Sequence, residues 1–412
     1  MTTAAPAAAA QERAGQPGAA GGGALQGLLV ADFSRVLAGP YATQLMGDLG
    51  ATVVKVEAPA GDETRGWAPP ERDGVSTYYL GINRNKSDVV LDFKDPCDRA
   101  LAQELARRAD VVVENFRPGG LAKFGLDHET VAATNPGVVY ASISGFGSAG
   151  GASLPGYDLI VQAASGLMSL TGDPEGQAYR SGVSVFDIMT GMQATIGVLA
   201  ALRHRERTGE GQHVEVNLLS TALSAMANHS STYIAAGRVP FRMGNAHPSL
   251  FPYEPLATAD GELVVVAANN AQFAKLAGAL GVPELVEDPR FAATEDRNRN
   301  REQLRPLLLD ALARRTSAEW FEVLTAAGVA CGPINTIDGG VALAEHLGLE
   351  PVVHVGEGEA AVPVVRNPIR LSRTPATYRT PPPPLGADDD AVRAWLAGPA
   401  DAPLDAAGGQ DR

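Results

Sequence analysis

The chain has 412 residues, 45% of them hydrophobic, with a formal charge of −14 and a sequence pI near 5.0. That length suits two domains or one large one with a sizeable core, and the acidic balance argues against nucleic acid or an anionic membrane as partner. The two cysteines, Cys97 and Cys331, fit no metal or redox spacing, so no metal site is expected and a cytoplasmic setting is the simplest reading.

The first residues, 1–24, are Ala, Gly and Pro with scattered polar residues and read as a disordered tail. Leu28–Phe33 is a short apolar strand, Pro40 stands where a helix begins, Gly50 closes that helix, and Thr52–Glu57 is the next strand. This β–α–β unit puts the loop Ser34 to Gly39 at a strand's carboxyl end beside a helix N-terminus, where anions bind. The pattern repeats through strands at Val89–Phe93, Asp110–Asn115 and Val138–Ser144, with helices at Asp98–Ala109 and Asp127–Thr134 between them. Alternating strands and helices predict an open parallel sheet with helices on both faces, its ligands outside the carboxyl ends of the strands. Dinucleotide and triphosphate-binding glycine motifs are missing.

From Ile188 to Leu202 the apolar residues Ile188, Met192, Ile196, Leu199 and Leu202 fall at helical spacing, which predicts one buried stripe, and Gly209 and Gly211 end the helix before a strand at His213–Leu218. The apolar run is too short, and too closely bounded by charge, for a bilayer-crossing segment to be expected. Asp187 then opens the helix, where free N–H groups and the helix dipole favour its ionised form. The local pattern is met equally well by an aspartate that only caps the helix. Later come a strand at the end of Ala257–Ala267 and helices at Phe273–Leu280, Asn298–Arg314 and Ala318–Ala327, a second, smaller α/β domain.

Several segments together resemble the family III CoA-transferases, the group with formyl-CoA transferase, the carnitine CoA-transferases and α-methylacyl-CoA racemase. They are Asp32–Pro40, Gly50–Glu57, Asn83–Ser87, Glu114–Gly119, Gly156-Tyr157-Asp158 and the stretch Gly182–Gln212 around Asp187. The resemblance implies a Rossmann-like large domain, a smaller α/β domain and an interlocked homodimer. Its expected divisions are 25–225 for the first part of the large domain, 226–335 for linker and small domain (with 328–335 leading out of it), 336–400 for the return, and 401–412 for a tail. It implies that Asp187 is the catalytic carboxylate and that CoA and acyl-CoA are substrates rather than permanent cofactors. Arg35, Val36, Leu37 and Ala38 would line the CoA site, Lys86, Asn115, Phe116 and Lys123 would hold nucleotide and pantetheine, and Phe146 would pack near the thioester. Ala58 stands where formyl-CoA transferase has an arginine near the nucleotide, and Arg65 is the compensating candidate.

Racemases of the group have histidine where this chain has Tyr157, and a phenol with a pKa of about 10 is poorly matched to abstract an α-proton. A carboxylate beside a thioester suits covalent CoA exchange with a carboxylic acid, which is the predicted reaction. Tyr157, Asn245 and His247 are the candidates for contacting the acids, and Gln44 or Gln162 for positioning Asp187. An acyl-CoA racemase or a CoA-binding scaffold are the other two classes the residues admit.

Overall fold

A computed structural model describes residues 23–400 together with Ala402 and Leu404, so the expected tails fall almost wholly outside the described residues. Contacts divide the chain into two units. The first runs up to Ser165, takes up Ser181–Ser231 and resumes at Glu350; the second is Gly166–Arg180 with Thr232–Leu349.

The first unit is built on a parallel sheet. Its strands are β1 (Leu29–Asp32), β2 (Thr52–Glu57), β3 (Lys86–Val90), β4 (Val111–Glu114), β5 (Val139–Ser144) and β6 (Gln212–Asn217), in the order β3-β2-β1-β4-β5-β6. Helices α1 (Ala38–Asp48), α2 (Pro96–Arg108), α3 (His128–Thr134), α4 (Asp158–Ser165), α5 (Val185–Thr208) and α6 (Leu218–Ala225) follow the strands or link them. Strands covered on both faces read as nearly unbroken apolar runs, and Val111, Val112 and Val113 are completely buried. The order reverses between β1 and β4, so the carboxyl ends of these two neighbours form the switch point where such sheets bind ligands.

Three local expectations need correction. The third strand begins at Lys86, not Val89, because Lys86 pairs with Val53 and its charge is matched inside the protein. Apolar content alone could not place that start. On α5 the large apolar stripe is buried at Leu202 but not along its middle: Met192, Ile196 and Leu199 are exposed, whereas Thr190, Gly191, Ala194, Thr195 and Val198 face inward. Small residues win that side because α1 lies against it, and a Cβ on Gly191 would stand 2.5 Å from the carbonyl oxygen of Ala38. Finally, α5 is long and apolar enough by length and composition to cross a membrane, contrary to the reading from its shorter run; it packs on α1, β5 and β6 instead.

The second unit holds an antiparallel sheet of β7 (Tyr253–Ala257), β8 (Glu262–Val266) and β9 (Ala330–Pro333), ordered β9-β8-β7. With α7 (Asn270–Leu280), α8 (Arg301–Leu312) and α9 (Ser317–Ala326) it encloses a core of Phe251, Leu263, Val265, Phe273, Leu308 and Trp320. The segment expected to lead out of this domain is therefore one of its strands, since Leu263 pairs with Pro333 and Val266 with Ala330. Residues 166–180 also belong here, tied by Arg242 donating to the carbonyls of Asp173 (3.1 Å) and Gly176 (3.0 Å). Those bonds join segments some 70 residues apart, a link beyond the reach of local pattern. In the first unit the chain ends on α10 (Asp389–Ala397), which packs on α2 and β3.

Candidate active site

A cleft of about 80 Å³ opens in the first unit beside the carboxyl ends of β4 and β5, and Ala38, Asn115, Phe116, Phe146, Gly156 and Asp187 all line it. The turns that carry these residues need close backbone approach. A Cβ on Gly145 would lie 2.3 Å from the Cα of Gly156, so the turn after β5 and the turn before α4 can touch only as glycines. That contact sets where Tyr157 and Asp158 emerge.

Asp158 is the residue that organises the start of α5. Its buried carboxylate accepts from the backbone N–H of Phe186 at 2.7 Å and of Asp187 at 3.1 Å, and Gln162 Nε2 donates to its other oxygen. Ser184, at the usual capping position, makes no capping bond, so the cap comes from 26 residues upstream of it in sequence. Asp187 itself stands third in the helix and caps nothing, because its position in the first turn points the carboxylate at the cleft rather than back at free N–H groups. No hydrogen bond to its carboxylate forms among the described residues. Burial, reinforced by the negative charge of Asp158, pushes the Asp187 carboxyl up to about 7. This reverses the sequence expectation of a carboxylate favoured in its ionised form by the helix end.

Tyr78, half-buried, also belongs to this neighbourhood: burial first, then the charge of Asp187, push its hydroxyl up to about 12, while a hydrogen bond with Ser184 opposes the shift. Nothing local in the sequence marks Tyr78. Asp158 was visible only as the last residue of a matched tripeptide.

The β1–α1 loop forms the other wall. Asn115 holds it across the switch point, accepting from Arg35 N at 2.9 Å and donating to Arg35 O at 2.6 Å. The Arg35 side chain is exposed, paired with Glu63 at 3.0 Å and poised 5.8 Å from the Phe116 ring. Leu37 and Ala38 are buried, Ala38 lines the cleft, and α1 starts without a capping side chain. Lys123 is exposed on a short 3₁₀ turn, its ammonium 4.8 Å from the Phe124 ring.

Two expected ligand contacts are corrected. Lys86 has a fully buried side chain, and its ammonium donates to Asp32 (3.0 Å), the Pro40 carbonyl (2.9 Å) and Asn83 (2.9 Å). Burial pulls it down to about 8, and the Asp32 carboxylate is what sustains its charge. Its work is internal, tying β3 to the end of β1 and the start of α1. Arg65 is likewise taken: it grips Glu57 through two nitrogens at 2.9 and 2.8 Å, meets Tyr79 Oη at 2.6 Å and donates to Pro383 O at 3.1 Å. A guanidinium with those partners has little left for a phosphate. Gln44 bonds the Gly81 carbonyl and the Arg84 N–H, away from Asp187, whereas Gln162 reaches it through Asp158. Tyr157 is exposed. Asn245 and His247 lie in the second unit, where His247 Nδ1 accepts from Ser249 N at 3.0 Å and its ring is 5.0 Å from that of Tyr253.

A second cavity of about 280 Å³ shares Phe116, Arg117 and Pro118 with the first and extends to His128, His213 and Glu114. Burial pushes Glu114 up to about 7, against hydrogen bonds from Ser142 and the Phe116 N–H. His213 stacks on His128 with ring centres 4.6 Å apart and bonds Ser142 at 2.9 Å.

The reversed sheet order and the cleft at its switch point define an open α/β protein whose ligand crevice holds an acid with no hydrogen-bond partner among the described residues. The chain belongs to CoA-transferase family III, whose profile matches residues 25–389, and it is a CoA-transferase. It is 41% identical to succinate–glutarate CoA-transferase of Agrobacterium fabrum over 90% of this chain and 95% of that one. It is 39% identical to succinyl-CoA:glutarate CoA-transferase of Mus musculus over 88% of this chain and 84% of that one. Among solved structures, a CaiB/BaiF family protein from Brucella suis superposes with a TM-score of 0.81 at 39% identity, covering 91% of this chain and all of the other.

Proposed function

We propose that the protein moves CoA from an acyl-CoA to a carboxylic acid through a covalent aspartyl-CoA thioester on Asp187. The observation that carries this is the Asp187 carboxylate: lining the cleft, largely shielded from water, without a hydrogen-bond donor among the described residues, and pushed up to about 7. A carboxylate so placed keeps its lone pairs for an incoming carbonyl.

In the first step an Asp187 oxygen attacks the thioester carbonyl; the C–S bond breaks, and CoA leaves as thiolate with the electron pair. The thiolate then attacks the Asp187 Cγ of the mixed anhydride, expelling the donor acid as its carboxylate. The acceptor carboxylate attacks the aspartyl thioester, and the released thiolate takes the acceptor's acyl carbon and frees Asp187. One negative charge passes through every step, and no net proton moves. Anhydride and thioester both keep the acyl group activated, so no ATP is consumed. The uncapped N–H groups at the start of α1 are the donors for the developing oxyanions, on the evidence of Ala38 lining the same cleft. Asp158 keeps Asp187 aimed by accepting from its backbone N–H, which leaves the Asp187 carboxylate oxygens to the cleft.

Succinyl-CoA is the donor we favour and a dicarboxylic acid of the glutarate class the acceptor, following the relatives' names. Tyr157, Asn245 and His247 remain the candidates for the acids. An interlocked homodimer is part of the proposal, supported by the exposed apolar row Met192, Ile196 and Leu199 on α5, which a second copy would cover.

The test is intact-protein mass after mixing the wild type and Asp187→Asn with a panel of acyl-CoA thioesters, with and without hydroxylamine. A CoA-sized adduct or a hydroxamate on Asp187, absent from the variant, is expected. No adduct with any thioester that the enzyme turns over would sink the covalent route.

A further inference from the structure

Among the described residues with positive φ outside glycine, Val36 is the β-branched one, at φ +69°. A branched Cβ in the left-handed region crowds the neighbouring backbone, so valine does not rest there unless something holds it. The holder is visible. Val36 N–H donates to both carboxylate oxygens of Asp62, at 3.2 and 3.4 Å. Asp62 is 5% exposed and is itself fixed from three other sides, by Lys55 Nζ at 3.0 Å, Thr64 N at 3.0 Å and Thr64 Oγ1 at 2.8 Å. Lys55 also donates to the Ser34 carbonyl at 3.1 Å. One buried ion pair thus grips the loop on both sides of Arg35, while Asn115 grips Arg35 itself.

The left-handed turn at Val36 sets the direction in which the chain enters α1, two residues before Ala38 reaches the cleft of Asp187. We propose that Asp62 is a positioning residue of the transferase: with Lys55 and Thr64 it clamps Val36 in the left-handed conformation and so aims the uncapped first turn of α1 at the bound CoA thioester. This rests on the proposed use of that cleft.

The clamp makes a demand that a merely stabilising ion pair does not. Glycine takes φ +69° without restraint, so in a Val36→Gly background the loss of Asp62 should no longer matter for CoA. The expected results by calorimetry with free CoA are a tenfold or greater loss of affinity in Asp62→Ala relative to wild type, and an affinity in the Asp62→Ala/Val36→Gly double variant within threefold of the Val36→Gly single variant. The Tm lost with the ion pair should be lost in both backgrounds. A tenfold loss that persists in the Val36→Gly background, or an Asp62→Ala that binds CoA as wild type does, overturns the proposal. Hydrogen exchange on the wild-type protein gives a second reading that needs no variant: the Val36 amide should exchange at least a hundredfold slower than a free loop amide, and exchange at the free rate also overturns it. Failure to trap an adduct on Asp187 would count against the covalent mechanism and leave these CoA-binding results readable.

Discussion

Two aspartates of the first unit, Asp32 at the end of β1 and Asp187 in the first turn of α5, show how one side chain serves opposite ends. Both are largely withdrawn from water. Asp32 has Lys86 at 3.0 Å and the hydroxyls of Ser34 and Thr43; burial works against its charge, yet Lys86 and Lys55 hold the carboxyl below its usual range. Asp187 has no cation and no donor among the described residues, and burial first, then the charge of Asp158, raises it to about 7. A satisfied carboxylate is structure, and an unsatisfied one in a cleft is stored reactivity.

The largest way to sharpen that contrast is to remove the carboxylate charge from each in turn. Asp187→Asn should lower CoA-transfer turnover by about a thousandfold or more, as loss of a covalent nucleophile does, while CoA still binds by calorimetry. The same variant should be more stable than wild type at neutral pH. The folded pKa lies above the unfolded one, so the native state loses stability as pH rises from about 4 to about 7; the shift from 3.8 to about 7 corresponds to at most about 4 kcal/mol. Denaturant melts should show that gain at pH 8 and none at pH 4. Asp32→Asn should do the reverse, costing about 3–5 kcal/mol by leaving Lys86 buried without its counter-charge.

A smaller effect is expected from Asp158→Asn, which keeps an oxygen to cap α5 but removes the charge beside Asp187. Removing that charge lowers the Asp187 pKa, so the acid limb of the profile of kcat/KM for the acyl-CoA, expected near pH 7 in the wild type, should move to lower pH. An unmoved limb would mean that another group titrates. Smallest in its effect on the site is Ile196→Glu on the exposed row of α5, which should shift sedimentation at micromolar concentration from the proposed dimer toward monomer.

Local pattern reached some parts of this molecule and missed others for reasons that can be named. Thr52–Glu57 is the strand that Val53, Val54 and Val56 imply after the closing Gly50, because that cue lies in adjacent residues. The third strand hid its first residues because Lys86 and Asp88 look like loop, and the partners that let them be buried, Asp32 for Lys86 and the Gly386 N–H and Arg65 for Asp88, are far off in sequence. The stripe on α5 was legible as a periodicity, but not which side of it the protein would bury. Asp187 could be singled out by resemblance, and its place near a helix start by spacing.

What the sequence determines by itself, then, is the succession of strands and helices, the parallel sheet they imply, and the presence of an acid at the head of a long helix, all set by interactions within a few residues. The tertiary structure decides that Asp158 takes over the cap, that Lys86 and Arg65 are spent inside the protein, and that Val36 is held left-handed by Asp62. Desolvation and charge pairing act through space, so the state of Asp187 is written only where distant segments close around it.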